Sequence, residues 1–125
     1  MNIKKLNYVV ETKNNWHVGM VSFVAQRITG LALVFYLIMH VISLSSILAG
    51  ADQFKGMMES YNTPLFHVAE WLLLACVLFH MFNGLRVMFA DWFGITRLQR
   101  GMFWVVAIAT AAVCLASIPF FFMWR

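Results

Sequence analysis

His80 sits deep in an apolar run, Phe79-His80-Met81-Phe82-Asn83-Gly84-Leu85-Arg86, which Asp91 brings to an end. On a helix, Gly84 falls on the same face as His80, four residues on, and its missing Cβ would let a bulky flat ligand lie close to the backbone. Such a face suits a haem. Arg86 lies six residues beyond His80, about 9 Å along a helix axis at ~1.5 Å per residue, which suits a haem propionate near a membrane–water boundary. A plainer reading is a buried histidine hydrogen-bonded to a neighbouring helix. The spacing leaves both open, although ionisable side chains inside a membrane are costly and tend to be functional.

The elements that must position these residues are membrane spans. Of 125 residues, 62% are hydrophobic and 11% charged, and mean hydropathy is +0.79, which is too apolar for an ordinary soluble fold. Residues 28–51 and 101–124 contain no Asp, Glu, Lys or Arg, so each can cross a bilayer. The expectation is an all-α integral membrane protein, one domain over residues 1–125, with three transmembrane helices at about 21–49, 65–90 and 101–122. Between the first two lies a loop, Gly50–Pro64, with Asp52, Lys55 and Glu59. Pro64 suits a helix start, and Pro119 comes late enough to bend only the last turn of the third helix. Trp16 reads as an interfacial anchor. Ala49-Gly50-Ala51 imitates a signal cleavage site, but the apolar run before it is far longer than the ~7–15 residues of a signal, so the first helix is expected to stay uncleaved.

Several function classes drop out. The formal charge of +4 comes from basic residues scattered between apolar runs, not from a cluster that would bind nucleic acid. Cys76 and Cys114 fall inside apolar runs, without Cys-x-x-Cys-His for covalent haem and without iron–sulfur or zinc spacing. Any haem is then held non-covalently, as haem b, and any iron–sulfur cluster belongs to a partner. Lys4, Lys5, Lys13, Arg27, Arg86, Arg97 and Arg100 lie on one side of the three spans, and Lys55 and Arg125 on the other. The positive-inside rule puts the N-terminus and the Arg97 connection in the cytoplasm, or the matrix of an organelle, and the C-terminus outside.

Two segments carry a family likeness. The His80 stretch resembles the second membrane helix of the cytochrome b membrane anchor of succinate dehydrogenase, which carries His-x-x-x-Gly-x-Arg followed by an aspartate, matched here by His80, Gly84, Arg86 and Asp91. Upstream, Gln26-Arg27-Ile28-Thr29-Gly30 is similar to the family's His-Arg-x-Ser/Thr-Gly at the start of the first membrane helix. The resemblance implies that His80 is an axial ligand of haem b, with Gly84 and Arg86 beside the haem. It implies a quinone region around Arg27, Gln26, Ser22 and Asp91. The family's serine position is Phe23 here, with Ser22 one residue earlier, and Gln26 can donate a hydrogen bond but cannot titrate near neutral pH.

His40 shares a helical face with Ser22, Gln26 and Leu33 at ~100° per residue. Two-haem members of the family resemble this chain in carrying a histidine in the first helix, and the resemblance implies that His40 is a second iron ligand. Levelling Arg27 with Arg86 puts His40 about 20 Å and His80 about 9 Å from one boundary at ~1.5 Å per residue, an offset of about 10 Å. Two histidines cannot supply the four axial ligands of two haems, so a second anchor chain is required, and this chain is half of a heterodimeric helical bundle. His17 and His67 are read as structural.

The implied function is that of a membrane anchor of succinate:quinone oxidoreductase, with no succinate chemistry of its own. Its implied partners are a flavoprotein, an iron–sulfur subunit, the second anchor, the lipid bilayer and a quinone, menaquinone or ubiquinone. The implied location is a bacterial or archaeal cytoplasmic membrane. Alternatives are a quinol:fumarate reductase anchor, which has the same architecture run in reverse, and a haem-free assembly or channel subunit.

Overall fold

The computed structural model describes residues 17–123, with Thr96 described for its backbone only. Trp16, Lys4, Lys5, Lys13 and Arg125, which entered the expectations for anchoring and orientation, lie outside the described residues. Helix α1 is Val18–Ser45, continued by a 3-10 turn Ser46–Ala49; α2 is Ala51–Ser60; α3 is Pro64–Phe93; and α4 is Gln99–Phe122 after a 3-10 turn Thr96–Leu98. No strand occurs among the described residues. Three helices are long and apolar enough to cross a membrane: α1 with its 3-10 extension, 32 residues, α3, 30, and α4, 24.

Backbone chemistry sets the breaks. Gly50 at φ +116 ends the first span, in a conformation that side chains with a Cβ rarely adopt. Thr63 caps α3, its Oγ1 accepting from the Phe66 N–H at 3.4 Å, with Pro64 at the first helical position, where no N–H is missed. Gly94, left-handed at φ 63, closes α3. The helix α2 replaces the expected loop over Gly50–Pro64. Asp52 in its first turn complements the helix dipole, and Phe54 and Met57, three apart, are its half-buried side.

Packing is organised by α3, which contacts both α1 and α4. Away from the Ser22 end, Trp71 Nε1 of α3 donates to the Cys114 carbonyl (3.1 Å) and to Ser117 Oγ (3.2 Å) of α4. Ser43 Oγ of α1 and Tyr61 OH, just after α2, share a hydrogen bond of 2.9 Å. Between these ties α1 stands clear: every residue from Val34 to Ile42 is exposed. Only Ala90, Val106 and Cys114 form a buried hydrophobic set among the described residues. Three long helices with so little enclosed apolar surface leave most of it for lipid or for another chain.

Candidate functional site

The two most deeply buried side chains among the described residues, Asn83 and Ser22, are polar. Ser22 is 1% exposed, Asn83 0% and Arg86 8%. A group without partners in hydrocarbon would cost several kcal/mol, and these satisfy one another across the α1–α3 contact. Arg86 Nη2 donates to Ser22 Oγ at 2.6 Å, and that hydroxyl donates to Asn83 Oδ1 at 2.8 Å. Asn83 Nδ2 donates to Gln26 Oε1 at 2.9 Å, and Gln26 Nε2 to the His80 carbonyl at 3.2 Å. Every donor points towards the next acceptor, so the chain of bonds runs in one sense from Arg86 to His80. Arg86 also reaches α4, donating from Nη1 to the Gln99 carbonyl at 3.2 Å, with its guanidinium 5.8 Å from the Phe103 ring centre. Nε of Arg86 is buried and has no hydrogen-bond partner among the described residues.

His80 completes the row. Its Nδ1 lies 3.1 Å from Thr29 Oγ1. A Cβ on Gly30 would stand 3.1 Å from His80 Cε1, so the ring rests against the bare backbone of α1 at that glycine. The ring is half-buried, and Nε2 makes no hydrogen bond among the described residues. Gly84, expected to give room to a flat ligand, faces α1, where a Cβ would meet Gln26 Nε2 at 3.4 Å, an ordinary contact.

The other expected residues stand apart. Arg27 is exposed, its guanidinium 4.6 Å from the Phe23 ring centre one turn back on its own helix. Asp91 is exposed near the end of α3. The quinone group expected from sequence is therefore divided within this chain, with Ser22 and Gln26 turned into the α1–α3 contact while Arg27 faces outward. His40 is exposed on the clear stretch of α1, its Nδ1 3.2 Å from Tyr36 OH and the two rings 5.2 Å apart.

The expected levels also change. Arg86 is joined to Ser22, not to Arg27, through the Nη2–Oγ bond between α3 and α1. Thr29 marks the level of His80 on α1, and His40 is eleven residues beyond it, about 16 Å along the axis at ~1.5 Å per residue. The offset exceeds the expected ~10 Å because Arg27, five residues past Ser22, lies about 7.5 Å further along α1.

Asn83 and Thr29 received no role from the sequence. Their signal was there: Asn83 is an uncharged polar residue midway between His80 and Arg86 at helical offsets of three, which puts all three on neighbouring positions of one face. Thr29, three residues after Gln26, falls on the same side of α1 as that glutamine.

The donor set at His80 fits a haem iron, since a half-buried imidazole keeps one nitrogen free of hydrogen bonds among the described residues and aimed away from Thr29. Arg86 fits a propionate less freely. An anion there would compete with Ser22 and the Gln99 carbonyl for the terminal nitrogens, or pair with Nε.

The family described as the succinate dehydrogenase/fumarate reductase transmembrane subunit matches over residues 2–123. The chain is 36% identical over 89 residues to the succinate dehydrogenase 2 membrane subunit SdhC of Mycobacterium tuberculosis, covering 70% of this chain and 65% of that protein, slightly under two thirds of its length. It is 32% identical over 104 residues to the succinate dehydrogenase hydrophobic membrane anchor subunit of Halobacterium salinarum, covering 82% of this chain and 80% of that one. A match along nearly the whole chain, joined to three membrane-crossing helices, places this integral membrane protein in the succinate dehydrogenase/fumarate reductase transmembrane subunit family.

Proposed function

We propose that this chain is one of two anchor subunits of a succinate:quinone oxidoreductase, holding haem b through His80 and forming part of a quinone site near Arg27. The observation that supports it most is the placement of His80, fastened to α1 through Nδ1 and its carbonyl with Nε2 left unused. Haem supplies one-electron transfer when bound. The protein's part is to fix the ring, keep Nε2 available and hold the helices that flank it. His40 offers a second ligand, about 16 Å along the axis from the level of His80 at ~1.5 Å per residue, too far for both to serve one haem. The exposed stretch Val34–Ile42 is the side on which a second anchor would bring matching ligands.

For quinone, the exposed Arg27 suits a carbonyl oxygen held between this chain and its partners, while the exposed Asp91 lies beyond Arg86 on α3, about 15 Å from the Arg27 level along the axis at ~1.5 Å per residue. A snorkelling arginine is the plainer role for that side chain. Assembly with a flavoprotein and an iron–sulfur subunit, in a bacterial or archaeal cytoplasmic membrane, completes the reading.

The purified complex tests it. Reduced b-type absorption bands should appear, His80→Ala should remove one haem, and His40→Ala a different one, as read by redox titration and haem-to-protein stoichiometry. Arg27→Ala should slow quinone reduction while succinate oxidation by a soluble dye stays near the parent rate. A complex that assembles without haem would leave a haem-free anchor in its place.

A further inference from the structure

Thr29 Oγ1 has one proton and three neighbours. It lies 2.8 Å from the Ala25 carbonyl and 3.1 Å from the Gln26 carbonyl on its own helix, and 3.1 Å from His80 Nδ1. Both carbonyl oxygens can only accept. If the hydroxyl gave its proton to His80, two oxygens would face each other at 2.8 Å with no hydrogen between them. The proton therefore goes to the backbone, and towards His80 the hydroxyl offers a lone pair. A neutral imidazole answers that with Nδ1–H, and its other nitrogen, Nε2, then carries the lone pair.

We infer that Thr29 is a positioning residue that sets the tautomer and ring direction of His80, so that Nε2 is presented in its ligating form before any iron arrives. The inference rests on the haem reading of His80 and adds to it the residue that prepares the ligand. Gly30 and Gln26 work with it: one lets the ring lie against α1, and the other fixes the His80 carbonyl. Outer partners of this kind orient a ligating histidine and raise its basicity, and their loss commonly costs about 10–100-fold in affinity for the metal group. Without an acceptor at Nδ1, the ring is free to turn or to protonate at Nε2, and it becomes a weaker donor to ferric iron.

Thr29→Val keeps the β-branched shape and removes the hydroxyl, whereas Thr29→Ser keeps the hydroxyl and removes the methyl. In the purified complex, haem retention is read by transfer to apomyoglobin, together with the midpoint potential and the electron paramagnetic resonance spectrum of the haem that His80→Ala removes. Thr29→Val should lose haem ~10–100-fold more readily, with a raised midpoint potential and shifted g values, and Thr29→Ser should stay close to the parent. If Thr29→Val fails to assemble, Thr29→Ala, which brings no bulk, is read in its place with the same expectations. Unchanged retention and potential in the hydroxyl-free variant would overturn the inference while leaving His80 as a ligand, as would equal loss in Thr29→Ser. A parent complex with no haem would overturn both this inference and the haem reading.

Discussion

At the scale of single residues, the two glycines of the motif segments do different work. Gly30 is demanded by the chain itself, because a Cβ there would press His80 Cε1 at 3.1 Å and push the ring by a few tenths of an ångström. Gly84 is not, since the nearest atom to its Cβ position is Gln26 Nε2 at 3.4 Å. Alanine gains about 1 kcal/mol over glycine inside a helix, and overpacking costs about 1–3 kcal/mol. Gly30→Ala should therefore lower the thermal stability of the complex by about 1 kcal/mol, and Gly84→Ala should hold or raise it; the reverse order in melting measurements would contradict this packing. Much of the candidate site was legible at this scale, because His80, Gly84, Arg86 and Gln26 announce themselves by type and spacing. Which of them meet was not. Two arginines near helix ends invite the assumption that they share a level, and only the contact between α1 and α3 reveals that Arg86 belongs with Ser22.

At the scale of elements, the spans followed from uncharged runs, yet their ends did not. Hydropathy stops the second span near Ala90, but the backbone continues through Asp91 to Phe93 and ends at the left-handed Gly94, because capping geometry, not apolarity, terminates a helix. The short α2 was hidden by Gly56 and by a mixed composition that reads as a turn. Between α3 and α4 the Trp71 indole is a second polar tie beside the Arg86–Gln99 bond, shared by the Cys114 carbonyl and Ser117 Oγ. Interhelical hydrogen bonds in membranes average about 0.6 kcal/mol and reach about 1.7. Trp71→Phe should destabilise the complex by about that much. Ser117→Ala should cost less, because the Cys114 carbonyl still accepts, and the double variant should fall short of the sum. Strict additivity in thermal melts would mean that the indole and hydroxyl do not act as a unit.

At the scale of the whole molecule, three helices long enough to cross a membrane are an odd number, which predicts that the two ends of the chain face opposite sides. The excess of Lys and Arg at the N-terminal side and the Arg97 connection predicts which is which. A reporter inserted near Thr96 should read as internal, and one fused after Arg125 as external; matching signals at the two positions would mean that α4 does not cross.

The bond from Arg86 of α3 to Ser22 of α1 also predicts an order of biogenesis. An arginine within a lone span costs about 2.5–3.5 kcal/mol at mid-membrane on the scale set by cellular insertion, and less towards the ends. Arg86 meets Ser22 only on α1, the helix made first, and the Gln99 carbonyl only on α4, made last. As α3 emerges from the ribosome, α1 is already in place to receive it, so the growing chain never has to leave that charge alone in lipid. A fragment starting at Met57 should accordingly accumulate poorly in membranes and recover when residues 1–56 are co-expressed as a separate chain; equal accumulation with and without that helix would show that α3 needs no earlier partner to be retained.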